Sequence, residues 1–222
     1  MNSPHILMKR FFTIFASLMA FVMVFSGCGK AQDTGSGSGG ANPDYNFEDG
    51  KSLTGLHYVE MAVEGYGTMI MEIDADAAPI SATNFLKLAN SGFYDGLTFH
   101  RIISGFMAQG GDGSATDRAA EAETITGEFA LNGYDNPISH TRGVVSMARA
   151  QDYNSASSQF FIMHADYTGL DGAYAAFGRV IEGMDVVDSM CVDADPNAYN
   201  GMLEKGDQPV ISYVKLLGTE KP

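Results

Sequence analysis

Arg101 stands between His100 and Ile102 in a mostly apolar stretch, and Phe106, Met107 and Gln109 follow it closely. A guanidinium carries several N–H donors and stays protonated at any working pH. Taken alone, such an arginine reads as an ion-pairing or hydrogen-bonding residue. Phe106 and Met107 read as core filler, and Gln109 as a satisfied buried amide. Gly110-Gly111-Asp112-Gly113 is glycine-rich but lacks the Lys-Ser/Thr of a phosphate-binding loop, so a turn is the better reading. The five histidines show no H-E-x-x-H or comparable ligand spacing, and His100, His140 and His164 read as structural. Two cysteines cannot build a four-thiolate zinc site or a disulfide-rich scaffold. Cys191 shares a helical face with Met184 and Val187, which favours a buried, inert thiol.

These residues need a scaffold, and the chain can supply one. It has 222 residues, enough for one medium domain or two small ones. At 45% hydrophobic residues it has the material for a core, which excludes a wholly disordered chain. A formal charge of −14 argues against nucleic acid as a partner, because phosphate backbones attract Lys and Arg. Residues 57–63 and 68–73 alternate, with Val59, Met61 and Val63 on one face and Met69, Met71 and Ile73 on another. Glu64-Gly65-Tyr66-Gly67 lies between them, which predicts a hairpin. Residues 79–91 predict a helix with Pro79 in its first turn, Phe85, Leu88 and Ala89 on one face and Gly92 at its stop. A second helix is predicted over 183–191. Apolar runs at 97–103, 106–109, 143–148, 159–163, 175–180 and 210–217 read as strands, the last able to pair near the first. Many short strands with two helices predict a barrel or a sandwich. Residues 112–142 show no period, and so long a loop is usually functional or mobile.

The N-terminus reads as an address. Lys9 and Arg10 precede a fifteen-residue apolar run over 11–25, the length of a signal-peptide core and short for a membrane span of roughly 20. Ser26-Gly27-Cys28 follows at once and resembles the lipobox of bacterial lipoproteins, with Phe25 in the place of the usual aliphatic residue. That resemblance implies a signal peptide over 1–27, a lipidated Cys28 as mature N-terminus, and an extracytoplasmic, membrane-anchored protein. Cleavage would remove two basic and no acidic residues, taking the formal charge from −14 to −16. A surface of that sign is repelled by anionic lipid, and one acyl chain is marginal, so anchoring would rest on more than one. Residues 28–54, with Gly35-Ser36-Gly37-Ser38-Gly39-Gly40, read as a flexible tether, leaving a domain over 55–219.

Three blocks carry a family resemblance. The first is Phe93-Tyr94-Asp95-Gly96-Leu97-Thr98-Phe99-His100-Arg101-Ile102-Ile103, continuing through Phe106-Met107-Ala108-Gln109-Gly110-Gly111. The second is Gly143-Val144-Val145-Ser146-Met147-Ala148-Arg149-Ala150, then Ser157-Ser158-Gln159-Phe160-Phe161-Ile162. The third is Leu170-Asp171-Gly172, then Phe177-Gly178-Arg179-Val180. In order and spacing they resemble the cyclophilins, the cyclosporin-type peptidyl-prolyl cis–trans isomerases. The resemblance implies a mainly β fold, a closed antiparallel eight-stranded barrel capped by two α-helices. It implies that Arg101 donates to the prolyl nitrogen and that Gln109 orients the arginine as its catalytic partner. It implies an apolar slot for the proline ring from Phe106, Met107, Phe161 and Leu170. Ala148, Arg149, Gln159 and Tyr174 would bind the substrate chain around it. No bond is broken, so the resemblance implies no metal and no cofactor. Its partners would be proline-containing, unfolded or flexible polypeptides, and its state a monomer.

Three positions depart from the better-known eukaryotic pattern. Arg149 replaces an Asn whose role is played by main-chain groups. Tyr174 replaces a His and keeps an aromatic wall. Gly169 replaces a Trp that contacts cyclosporin, which implies weak cyclosporin binding. A second reading of the same residues is a proline-binding module whose catalysis is incidental; the presence of Arg101 with Phe106, Met107 and Gln109 favours the enzyme, since binding alone does not demand the arginine.

Overall fold

The computed structural model describes residues 41, 42 and 44–222. The expected signal peptide, Cys28 and the glycine-serine run lie outside the described residues. Alternating apolar residues form β1 (Leu56–Val63) and β2 (Gly67–Asp74), which pair as the predicted antiparallel hairpin with Met61 opposite Met69. Helix α1 (Pro79–Asn90) follows, then β3 (Phe99–Ile103), β4 (Met107–Gly110), β5 (Val144–Met147), β6 (Phe160–Met163) and β7 (Ala176–Glu182). Helix α2 (Met184–Asp193) and β8 (Ile211–Gly218) complete the domain. Strand order is β3-β4-β6-β5-β7-β2-β1-β8, and every paired ladder is antiparallel.

The result is a mainly β, curled half-barrel with two α-helices among the described residues, and the expected closure is corrected. The end strands β3 and β8 meet only at one corner, through a bridge between Thr98 and Val210 and bonds such as Ile211 N–H to the Leu97 carbonyl at 2.8 Å. Further along, the edge of β3 is taken by the segment before β8. Leu203 N–H donates to the His100 carbonyl at 3.0 Å, and Met202 bridges Arg101. The edge is covered, but by a loop.

Period-two alternation gives the sheet two apolar faces. On one, Phe160 and Ile162 of β6 join Val59, Met61, Met71 and Phe177 in the main core, closed by α1. Phe85 of that helix packs against Tyr94, Phe160 and Phe177 with centroids 5.1, 5.6 and 5.2 Å away. On the other face, Met107, Val144, Phe161, Met163 and Ala176 form a smaller cluster under Phe106, Leu170 and Tyr174. The second face carries the candidate site.

The segment 112–142 is irregular but anchored. Ala78 provides no side-chain cap for α1, and no acidic residue lies in the helix's first turn. Glu128, 2% exposed, supplies both needs from the loop. Its carboxylate accepts from Ile80 N–H at 2.9 Å and from Ser81 N–H and Oγ–H at 2.7 Å. A negative group there satisfies orphan donors and meets the positive end of the helix dipole. Arg118 donates to the Gly92 and Phe93 carbonyls, tying the loop to the turn after α1.

The C-terminal part of the expected tether is bound to the domain. Tyr45, Phe47 and Leu53 pack against the core. Asn42 Nδ2 donates to the Leu216 carbonyl at 3.2 Å, and Leu53 N–H to Thr83 Oγ1 at 2.7 Å. Aromatic side chains with area to bury set this limit, where Gly and Ser have none.

Candidate active site

Strand register assembles the site. Arg101 on β3 stands opposite Gln109 on β4, Gln109 opposite Phe161 on β6, and Phe161 opposite Ser146 on β5. Cross-strand partners point to the same face, so one row delivers all four side chains to the second face of the sheet.

Phe161 and Met107 form the floor of an open cavity of about 240 Å³, and both are nearly fully buried. Phe106, from the turn between β3 and β4, forms a wall with Leu170 and Tyr174 from the segments before β7. Ala148 and Arg149, just past β5, close the rim, and Arg101 and Gln109 face them. Drug-sized ligands occupy pockets of about 300–1,000 Å³, so this one suits a single small ring. Nine of the ten expected domain residues line it together. Gln159 does not; it stands behind Gln109, accepting from Gln109 Nε2 at 2.9 Å, while its carbonyl accepts from Ala148 N–H at 2.9 Å.

Arg101 is held by three bonds. Nη1 donates to Gln109 Oε1 at 3.3 Å, Nε to the Asn200 carbonyl at 2.9 Å and Nη2 to Asn200 Oδ1 at 3.0 Å. A guanidinium has five N–H donors. Three are engaged, and two remain for a guest in the cavity. No carboxylate pairs with Arg101 among the described residues, so its full charge faces that space. Sequence reasoning missed Asn200. It is the one non-glycine described residue with positive φ, at 54°. The Asn200-Gly201 pair is a turn signal that could have marked it. Gly201 follows at φ +73° with its Cα so close to β3 that a Cβ would lie 2.6 Å from the Ile102 carbonyl oxygen. Only glycine permits that approach.

Beneath the floor lies a second arrangement. His140, 1% exposed, stacks on Phe161 with centroids 6.0 Å apart. Its Nδ1 bonds Asp171 Oδ1 at 2.8 Å and its Nε2 bonds Ser146 Oγ at 3.0 Å. An ionised Asp171 only accepts, which places the proton on Nδ1 and leaves Nε2 to accept from Ser146. Burial holds the His140 pKa below its ordinary value, against the pull of Asp171. Burial also works against the Asp171 carboxylate, but bonds from Ser139 and from the His140 backbone and ring outweigh it and hold it below the usual range. The order Asp-His-Ser is that of a hydrolase triad, yet Ser146 is fully buried and no substrate carbonyl can reach it. The chain of bonds instead ties the segment carrying Leu170 to β5, the strand beside Phe161.

His164 bonds elsewhere, its Nδ1 accepting from Gly105 N–H at 2.8 Å and its Nε2 lying 3.2 Å from Asp188, while His100 Nδ1 is buried without a hydrogen-bond partner among the described residues. Among the described residues, no group of three His, Cys, Asp or Glu could hold a metal ion. Beside Gly169, the ring of Tyr167 packs edge-on to Phe106 at 5.2 Å. An aromatic group therefore stands close to the position expected to have lost one.

Comparison with known proteins agrees with this geometry. A family model described as cyclophilin type peptidyl-prolyl cis-trans isomerase/CLD matches residues 58–208. Peptidyl-prolyl cis-trans isomerase A of Dickeya dadantii is 43% identical over 129 residues, which is 56% of this chain and 66% of that protein. Peptidyl-prolyl cis-trans isomerase B of Bacillus subtilis is 43% identical over 119 residues, 54% of this chain and 80% of that one. A probable peptidyl-prolyl cis-trans isomerase of Brucella abortus is 40% identical over 156 residues, 67% of this chain and 78% of that one. Among solved structures, a Cryptosporidium parvum cyclophilin type peptidyl-prolyl cis-trans isomerase superposes with a TM-score of 0.61 at 26% identity, covering 75% of this chain and 99% of that one. Crystals of that protein in the presence of the dipeptide Ala-Pro give 0.59 at 27% identity, over 71% and 96% of the two chains. With the row from Arg101 to Phe161 and the matched length together, this chain belongs to the cyclophilin-type peptidyl-prolyl cis–trans isomerases.

Proposed function

We propose that this protein rotates Xaa-Pro bonds by stabilising the twisted amide with Arg101. A planar amide delocalises its nitrogen lone pair, which sets a barrier of roughly 18–20 kcal/mol. At the twisted transition state the lone pair returns to nitrogen and can accept a hydrogen bond. A guanidinium donor there binds the transition state better than the planar ground state, which is the condition for catalysis. The observation that carries the reading is Arg101 at the rim of an apolar slot, pinned by Gln109 and Asn200, with two donors left over. Phe106, Met107, Phe161 and Leu170 would take the proline ring, a role supported by their shared wall and floor. Gln109 would hold the arginine and be held in turn by Gln159. The test is cis–trans exchange of an Xaa-Pro peptide with and without the protein. Acceleration supports the enzyme; binding without acceleration leaves a proline-binding module.

Its clients would be exported chains whose proline isomers exchange in about 10–100 s unaided, slow enough to delay folding. The support is in the sequence: the basic pair at 9–10, the apolar run at 11–25 and the Ser26-Gly27-Cys28 that resembles a lipobox. The protein would then act as a monomer outside the cytoplasmic membrane, held by lipid on Cys28. Metabolic labelling with an alkyne fatty acid tests this. Label on the wild type that is lost in Cys28→Ser supports the anchor, and an unlabelled wild type removes it.

A further inference from the structure

Two guanidinium groups line the isomerase cavity, and no carboxylate does. Arg101 serves the reaction proposed above. Arg149 has no part in that step, and its surroundings are unusual for a surface cation. Its guanidinium lies over three rings, 5.0 Å from the Phe129 centroid, 5.1 Å from that of Tyr153 and 4.8 Å from that of Tyr174. Nε donates to the Ala173 carbonyl at 2.9 Å, and Nη1 to the carbonyls of Ala150 at 2.9 Å and Gln151 at 3.4 Å. Nη2 has no hydrogen-bond partner among the described residues, and none of the ion pairs involves this arginine. Asp152 is its nearest carboxylate in sequence, and there Oδ1 accepts from Asn154 N–H at 2.8 Å.

The combination has a consequence. Three carbonyl bonds fix the guanidinium, so little rotamer entropy remains to be lost when a ligand binds it. The rings displace water on several sides, which strengthens a charge interaction relative to an exposed lysine. Two N–H groups stay free. Both sit on Nη2, so a carboxylate oxygen can accept a charge-assisted bond there, roughly twice as strong as one from a neutral side chain.

We propose that Arg149 is a specificity determinant of this site, favouring Xaa-Pro segments that carry an Asp or Glu within two residues of the proline. The inference rests on the isomerase reading, because it assigns the substrate class of that same cavity. The overall acidity of the chain opposes it only at long range. Charges farther apart than a Debye length of about 8–10 Å are largely screened at working salt, and a contact at the rim is screened only in part.

The experiment measures kcat/KM by NMR exchange on peptides that differ only in having Glu, Gln or Lys at the two residues before or after the proline. The full chain is used as wild type, Arg149→Lys and Arg149→Met. The expected wild-type preference for Glu over Lys at the best position is about fivefold, the size of a half-exposed ion pair. Arg149→Met keeps the stem and loses the charge, and its ratio should fall toward one. Arg149→Lys should keep part of it. A wild-type ratio of one or less at every position overturns the proposal, as does a ratio unchanged in Arg149→Met. If Arg149→Met does not fold, the wild-type ratio is followed from about 0.05 to about 0.5 M salt. A decline toward one supports a charge contact, and a salt-independent ratio overturns it. Failure of the isomerase reading looks different: no peptide is accelerated. Chemical-shift titration with the Glu and Lys peptides then decides the matter, tighter Glu binding supporting the preference and equal affinity overturning it.

Discussion

Replacing Asn200 by glycine separates the positioning of Arg101 from the stability of the fold. Asn200 holds φ 54° and ψ 26°. Glycine adopts that conformation freely, so Asn200→Gly leaves the backbone in place and with it the 2.9 Å bond from Arg101 Nε to the residue-200 carbonyl. Only the 3.0 Å bond from Nη2 to Oδ1 is lost. Hydrogen bonds to charged groups net about 1.5–3 kcal/mol when buried, and this one is exposed, so about 1 kcal/mol is the working figure. If Arg101 must be held in place in the transition state, kcat/KM falls about fivefold, since 1.4 kcal/mol is tenfold. Stability by urea titration should change by less than about 1 kcal/mol, because relieved backbone strain offsets the lost bond. Asn200→Ala loses the same bond and adds about 1–2 kcal/mol of left-handed strain, so it should match the glycine variant in activity and fall below it in stability. Asn200→Asp restores an acceptor and should recover kcat/KM. A glycine variant with wild-type kcat/KM, or an Asp variant no better than glycine, would refute the idea that this loop orients the arginine.

Three further outcomes follow from the structure. Glu128→Ala strands three donors at the start of α1 and should cost about 3 kcal/mol, or about 6–12 °C in Tm by differential scanning calorimetry; a shift under about 2 °C would contradict the capping role. Burial holds His57, His100 and His140 below their ordinary 6.5, so below that pH the unfolded chain binds more protons and stability falls as pH drops, while the Cys191 thiol, pushed up to about 11 by burial, makes stability fall again from 9.0 upward. Urea midpoints across pH should therefore show a plateau between these limits, and a midpoint that rises on acidification from about 7 to 5 would contradict the histidine assignment. Cyclosporin should inhibit exchange weakly, and Gly169→Trp should strengthen inhibition if the Tyr167 ring 3.1 Å from its Cβ position can move aside; tight inhibition of the wild type would show that Tyr167 already does that work.

β1, β2 and both helices were legible as periodic runs, because burial of one face leaves a mark at every second or fourth residue, while the other strands showed as short apolar runs, β5 and β6 being buried at every position. Closure was not. It depends on which segment runs beside β3, and neither β3 nor β8 records that its neighbour is the loop holding Leu203. The site was legible where its residues sit in contiguous blocks, such as Arg101 with Gln109. Asn200 escaped because it is 99 residues from the arginine it holds, in a segment of ordinary turn composition. The tether was read too long, since Tyr45, Phe47 and Leu53 are scattered among polar residues and show no period, though their apolar area is enough to bind them to the core. Arg149 was visible as a departure, but the three rings around it converge from separate segments.

The central claim is that Arg101 drives rotation from the rim of the apolar cavity. Magnetisation-exchange NMR on an Xaa-Pro peptide, with the full chain as wild type and as Arg101→Ala, tests it most directly. Losing the one transition-state donor should lower kcat/KM by about 10²–10³, while the peptide still shifts the signals of Phe161 and Leu170 and the urea midpoint holds. An Arg101→Ala protein that accelerates exchange as well as wild type would contradict the account.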